Sequence, residues 1–375
     1  MRAKIFLLIS VLLTTTNVYS QDPNFYIFLC FGQSNMEGQG AIQAQDRTVN
    51  GRFQVMEADD CSNLGRTLGS WYAATPPLCR CYTGLCPVDY FGRTMVANLP
   101  DSIRVGVINV SVAGCGIQLF DKNNYQAYVA TAPSWMTSII NEYGGNPYAR
   151  LVQIAQSAQN DGVIKGILLH QGESNVGDNT WPSKVKGVYD NLLADLGLDS
   201  SKVPLLAGEV VNADQGGVCA SMNSIIDKLP QTIPNAYVIS SSGCTDTTDN
   251  LHFNSAGYRE LGKRYATKML SLLGIVPTVV QGTESVGVGG FVLGQNYPNP
   301  FNPSTTITYV VPTLSRVRLV VYDILGRQVS TLVDEMQAPG ERSAVFNPAG
   351  LPSGVYLYRL DVGVNRLTKK MDLVR

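Results

Sequence analysis

Histidine is almost missing from this chain, with two in 375 residues. Charge is sparse too: 15% of residues carry one, and 28 Lys and Arg stand against 29 Asp and Glu. A net charge of -1 excludes the basic footprint of a nucleic-acid binder. It equally excludes a polybasic membrane-surface protein and a disordered acidic chain. No apolar run reaches the roughly 20 residues that a membrane-spanning helix needs, so no membrane span is expected in the mature protein. With imidazole this scarce, chemistry that needs a ring nitrogen as base must use His170 or His252.

What is present begins with the form of a secretory signal. Arg2 and Lys4 precede an apolar run at 5–13, and Val18-Tyr19-Ser20 offers residues that a signal peptidase accepts. Residues 1–20 are therefore expected to be a signal peptide, with the mature chain starting near Gln21. Eight cysteines in an exported chain make disulfides expected. Cys79, Cys81 and Cys86 cluster in one loop, and Cys219 with Cys244 forms a second candidate pair. Cys30 and Cys115 have the surroundings of buried free thiols. Zinc at the Cys79 cluster is disfavoured, because no histidine lies nearby and export favours oxidation.

Apolar runs at 25–31, 105–112, 163–169, 204–211 and 236–240 alternate with helical patterns at 148–159, 183–196, 221–229 and 255–273. Runs without polar alternation suit strands covered on both faces. The fold class expected is α/β, an α/β/α sandwich with a central parallel sheet over residues 21–275. Its site should lie at the carboxyl ends of the strands, at a switch point. Residues 276–291 are Gly-, Val- and Thr-rich and are expected to be a linker. Beyond it, short strands at 306–311, 317–322, 343–346 and 355–360 are separated by turns, which indicates a small β-sandwich over 292–375.

The first apolar run leads directly into Gly32-Gln33-Ser34-Asn35-Met36. A serine on a tight turn at the end of a buried strand is well placed as a nucleophile. Met36 replaces the second glycine of a G-x-S-x-G elbow, and a helix N-cap serine fits the same pentapeptide. The base must then be His170 or His252. His252 lies in Asp249-Asn250-Leu251-His252, a spacing that lets a carboxylate hold the ring's tautomer. His170 opens His170-Gln171-Gly172-Glu173-Ser174-Asn175. The turn Val112-Ala113-Gly114-Cys115-Gly116 could supply backbone donors to an oxyanion, and Gln171 a side-chain amide.

These blocks occur in the order of the SGNH hydrolases. The set resembles the sialate O-acetylesterase-like branch, and most closely carbohydrate esterase family 6, the acetyl xylan esterases, over residues 22–273. The resemblance implies an esterase without metal or cofactor, with Ser34 as nucleophile, His252 as base and Asp249 as orienting acid. Glu173 is the alternative acid. Ser34 and Gly114 backbone amides and the Gln171 side chain would form the oxyanion hole. Asn35 and His170 are candidate substrate contacts, with a structural role supporting the site as the other reading of His170. The chain has Ala113-Gly114-Cys115 where many relatives have Gly-Gly-Thr or Gly-Gly-Ser. The C-terminal part resembles the sorting domain of the type IX secretion system, on Asn296-Tyr297-Pro298-Asn299-Pro300, Leu325-Gly326-Arg327, Ser353-Gly354-Val355-Tyr356 and Lys369-Lys370-Met371. That implies export through the periplasm by the type IX machinery to the medium or the cell surface.

The function expected is therefore a secreted serine esterase that deacetylates plant polysaccharide or oligosaccharide, above all xylan. A sialate O-acetylesterase or feruloyl esterase would use the same machinery, and a non-catalytic glycan-binding protein is the alternative of another class. The segment 58–87, with Trp71, Tyr72 and Tyr82, is expected to form a specificity wall.

Overall fold

The computed structural model describes residues 21–275, 285–287, 291–296, 299, 301–348, 350–363 and 365–374. The expected signal peptide, most of the expected linker, and Tyr297, Pro298 and Pro300 lie outside the described residues. Contacts divide the chain into two compact units, Met1–Val276 and Pro277–Arg375.

The first unit is built on seven strands: β1 Asp22–Gly32, β2 Phe53–Met56, β3 Trp71–Ala73, β4 Arg104–Ser111, β5 Gly162–His170, β6 Leu205–Gly208 and β7 Ala236–Ile239. Their order is β3-β2-β4-β1-β5-β6-β7, and every neighbouring pair is parallel except the edge strand β3 against β2. Side chains alternate across this sheet because successive strand residues point to opposite faces. Phe25, Ile27, Leu29 and Phe31 of β1 enter one apolar layer with the helices Pro147–Ala158 and Trp181–Leu196. Phe28 and Cys30 enter the other, with Pro87–Asn98 and Ser255–Leu272. The α/β/α sandwich is thus present.

The chain runs from β1 to the β4 side and returns to β5 on the opposite side of β1, so the switch point lies at the carboxyl ends of β1 and β5. There Gly32 pairs with His170, and a Cβ on Gly32 would lie 2.0 Å from the His170 carbonyl oxygen. Only glycine lets the two backbones approach this closely.

Several elements differ from expectation. The patterns at 221–229 resolve into short pieces, Ala220–Met222 and Asn223–Ile226, with Leu229–Thr232 after them. β2 and β3 are four and three residues long, too short for a periodic signal. β3 also takes Trp71 out of the expected specificity wall. Trp71 packs on Phe25 with centroids 4.7 Å apart and donates to Asp161, at the amino ends of β1 and β5, away from the switch point.

The disulfide pattern is likewise corrected. Cys81 bonds to Cys61, twenty residues earlier, while Cys79, Cys86, Cys219 and Cys244 are free, as are Cys30 and Cys115. Cys79 instead lies beside the Tyr143 hydroxyl, and Cys219 beside the Glu173 carbonyl.

In the second unit two four-stranded antiparallel sheets form. One has the order β13-β10-β9-β8, made of β8 Ser285–Gly287, β9 Phe291–Leu293, β10 Thr305–Val311 and β13 Gly340–Phe346. The other has the order β12-β11-β14-β15, made of β11 Ser315–Asp323, β12 Gln328–Gln337, β14 Gly354–Val362 and β15 Asn365–Leu373. Apolar residues of both, such as Ile307, Leu319 and Tyr358, share one core. β8 lies inside the segment expected as linker. β12 has no fully buried residue, so it carries no alternation to read and is held by pairing with β11. Among the described residues no helix is long and apolar enough to cross a membrane.

Thiol titration of the unfolded, unreduced protein should count the six free cysteines, rising to eight after reduction. Finding four or fewer before reduction would mean that a further pair is bridged.

Candidate active site

Gly32 ends β1, and the chain turns at once into the short helix Ser34–Glu37. Gln33 donates its backbone N–H to the His170 carbonyl, which fixes this turn to the end of β5. Ser34 is consequently 6% exposed, with its hydroxyl at the switch point.

The imidazole arrives from the loop after β7. Asn254 caps the helix Ser255–Leu272 by accepting from Ala256 and Gly257, and the preceding residues fold back so that Thr247 N–H donates to the His252 carbonyl. Asn250 takes φ 53°, a left-handed conformation that Asn tolerates better than most residues. This turn brings His252 Nε2 to 2.9 Å from Ser34 Oγ and His252 Nδ1 to 2.7 Å from Asp249 Oδ2. The other carboxylate oxygen, Oδ1, accepts from the backbone of Leu251 and His252 and from the Thr247 hydroxyl. Partial burial acts to raise the Asp249 pKa, but bonds from Thr247, His252 and Leu251 outweigh it and hold the carboxyl well below its ordinary range.

Glu173 is elsewhere. Its Oε1 accepts from Asn35 Nδ2 at 2.6 Å and stands 3.7 Å from His170 Nε2. Burial acts to raise its pKa, and the neighbouring His170 and Asn35 more than offset that, leaving it lowered. No hydrogen bond links Glu173 to His252 among the described residues.

The two candidate substrate contacts stand beside the site but are turned inward. Asn35 is 0% exposed and uses its whole amide: Nδ2 donates to Glu173 and to the Leu251 carbonyl, and Oδ1 accepts from Phe253 N–H and the Tyr258 hydroxyl. Leu251 and Phe253 flank His252, so Asn35 grips the chain on both sides of the imidazole. His170 is also 0% exposed, edge-on to Phe253 at 5.7 Å and 3.5 Å from the Tyr265 hydroxyl. Substrate contact is thus corrected for both, since burial leaves no face for a ligand, and His170 takes the structural alternative.

Gln171 is corrected for a similar reason. Its two amide protons already face three acceptors, Gln33 Oε1, the Cys115 carbonyl and Asn175 Oδ1, and its Oε1 accepts from Trp181. It shapes the site floor and has no proton left for an oxyanion. The backbone N–H groups of Ser34 and Gly114, by contrast, have no hydrogen-bond partner among the described residues. Gly114 has φ 70° and lies against Trp135 and Met136.

Sequence reasoning missed the supports of that glycine turn. Glu37 Oε1 accepts from Ala113 N–H at 3.1 Å, and Arg80 bonds Glu37 and Glu142 at 3.0 and 2.9 Å. Burial raises the Glu37 pKa, with Arg80 opposing. Ser174 Oγ donates to the Gly114 carbonyl, and Asn175 Oδ1 accepts from Ile117 N–H. Asn175 stood in a legible motif, whereas Arg80 carried no sequence signal. A serine hydroxyl bonded to an imidazole, itself held by a carboxylate, can attack an ester carbonyl.

The parallel sheet and its two helical layers are those of the SGNH-like esterase fold. Residues 24–271 match the family model for carbohydrate esterase, sialic acid-specific acetylesterase, and the chain belongs to that family of ester hydrolases. It is 26% identical over 267 residues to a probable carbohydrate esterase of Arabidopsis thaliana, spanning 68% of this chain and 94% of that one. A solved Arabidopsis thaliana structure superposes with TM-score 0.50 at 22% identity, over 67% of this chain and 99% of the other. The crystal structure of NanS does so with TM-score 0.50 at 14% identity, over 67% and 98%. Residues 295–373 match a secretion system C-terminal sorting domain, a tail that marks the chain for export to the medium or cell surface.

Asn35→Ala should lower kcat by about tenfold or more with little change in KM, since small misplacement of a reacting group is costly. It should also lower the melting temperature, because Glu173, Tyr258 and the backbone beside His252 lose partners, at about 1–3 kcal/mol per buried group left unpaired. Steady-state kinetics with thermal unfolding checks both. An unchanged kcat in a folded variant would remove Asn35 from any positioning role.

Proposed function

We propose that the chain is an exported serine esterase that removes acetyl groups from O-acetylated plant polysaccharide, xylan foremost. One observation carries this: the Ser34–His252–Asp249 hydrogen-bonded series beside the two unengaged N–H groups of Ser34 and Gly114.

In this mechanism Ser34 Oγ attacks the acetyl carbonyl while its proton passes to His252 Nε2. The carbonyl oxygen takes the negative charge and is held by the N–H groups of Ser34 and Gly114. Collapse expels the sugar hydroxyl, which receives the proton from His252, and leaves acetyl-Ser34. His252 then deprotonates a water that attacks this ester, and acetate leaves as Ser34 recovers its proton. Asp249, kept ionised, stabilises the imidazolium in both halves.

Charge favours a neutral sugar over an acidic one. The loops leaving β1, β4, β5, β6 and β7 span 33–43, 112–121, 171–181, 209–221 and 240–254. They hold Glu37, Asp121, Glu173, Asp178, Glu209, Asp214, Asp246 and Asp249, and no Lys or Arg. The cations that reach or adjoin them, Arg80, Lys122, Lys184, Arg259 and Arg264, are each bonded to a carboxylate. Such a face repels the carboxylate of a sialic acid and is indifferent to xylan. The C-terminal domain, in turn, would be recognised by the type IX machinery and removed at the outer membrane, after a signal peptide at 1–20 has directed passage into the periplasm.

Acetate release from acetylated xylan should exceed that from acetylated sialic acid, and also ferulate release from feruloylated arabinoxylan. Ser34→Ala and His252→Ala should each lower kcat by roughly 10³-fold or more, and Asp249→Asn by about 10²–10⁴-fold. Near-wild-type turnover in either of the first two would overturn the mechanism. Polysaccharide binding without hydrolysis of any ester, a small aryl acetate included, would make the protein a binding module instead.

A further inference from the structure

One large aromatic side chain stands beside the site without a task. Trp135 lies in the first turn of the helix Ser134–Glu142 and is 53% exposed. Its ring lies over the Gly114 turn so closely that a Cβ on Gly114 would be 2.6 Å from Trp135 Cη2. That turn is bonded to the end of β1 through Val112 N–H and the Gly32 carbonyl, two residues before Ser34. The indole N–H has no hydrogen-bond partner among the described residues.

The helix carrying this ring is firmly held. Met136 and Ile140 are buried in the core, and Glu142 is tied to Arg80, which also holds Glu37 of the nucleophile helix. A ring on such a support is ordered before any ligand arrives, so stacking on it costs little further entropy. Of the other exposed apolar residues of this unit, Val218 is bonded through its backbone N–H to the Asn250 carbonyl of the His252 turn, but it has no ring to stack on a sugar.

From this placement we infer that Trp135 is a stacking platform for a sugar ring of the acetylated substrate, next to the residue whose acetyl group is removed. The inference rests on the esterase reading above and adds the subsite that reads the carbohydrate. An indole face is electron-rich and meets the C–H face of a neutral pyranose favourably, leaving the sugar hydroxyls in water. The free indole N–H can donate to a ring or hydroxyl oxygen at the edge. With no unpaired Lys or Arg on the five loops, affinity for the sugar must come from such contacts rather than from charge.

Binding can be measured apart from turnover. In Ser34→Ala protein, acetylated xylo-oligosaccharide should quench or shift tryptophan emission, since Trp181 is buried and Trp71 sits at the other end of the strands. The change should vanish in Ser34→Ala/Trp135→Phe protein, and oligosaccharide affinity should fall about tenfold in Ser34→Ala/Trp135→Ala protein by calorimetry. With Ser34 intact, Trp135→Ala should lower kcat/KM on acetylated xylo-oligosaccharide about tenfold more than on 4-nitrophenyl acetate, and Trp135→Phe should recover most of the difference. Equal losses on the two esters would reduce Trp135 to a prop for the Gly114 turn and overturn the platform. An unaltered oligosaccharide affinity without the indole would do the same. Failure of wild-type protein to release acetate from any sugar would sink the esterase reading instead, and the calorimetric result would stand apart from it.

Discussion

The proposed chemistry depends on two distant pieces of chain being held at hydrogen-bond distance, and the buried Asn35 amide bonds the one to the other. Ser34 and His252 are 218 residues apart in sequence, and their side chains meet at 2.9 Å. Asn35 follows the serine directly and bonds the carbonyl before His252 and the N–H after it. Because the amide is wholly buried, its four bonds have no water to compete with them, and losing one leaves a group stranded. The same amide ties in Glu173 at the end of β5, so three loops are fixed by one side chain. Gly32 makes this possible by letting β1 and β5 approach without a side chain between them.

A second brace runs through the Gly114 turn. Glu37 holds the turn that carries Gly114, and Arg80 holds Glu37 and the helix bearing Trp135. Arg80 adjoins Cys81, whose disulfide to Cys61 pins this otherwise irregular loop. Buried ion pairs of this kind gain little net stability, since desolvation offsets attraction. What Arg80 provides is geometry, one cation fixing two carboxylates that belong to different parts of the site.

How much of this could be read beforehand follows from what each residue type reveals alone. β1, β4 and β5 were legible because strands covered on both faces are continuous apolar runs. β2 and β3 were not, being too short, and β12 was not, because its side chains are mostly in solvent. Ser34, His252 and Asp249 could be singled out by scarcity and spacing, and they do converge. The polar neighbours were harder. Asn35, His170 and Gln171 have side chains that suit a ligand or a buried network equally, and only burial distinguishes the two. The tryptophans teach the same lesson. Trp71 and Trp135 look alike in sequence, yet one packs at the amino ends of the strands and the other lies on Gly114.

The separation of serine from imidazole has a consequence for biogenesis. A chain emerging amino end first presents its hydroxyl long before its base exists, and the two can meet only after the loop beyond β7 has docked. Contacts of such long range form late and slowly in folding. On the proposed chemistry, a chain that ends or stalls before residues 240–254 have joined the sheet therefore carries a serine without its base.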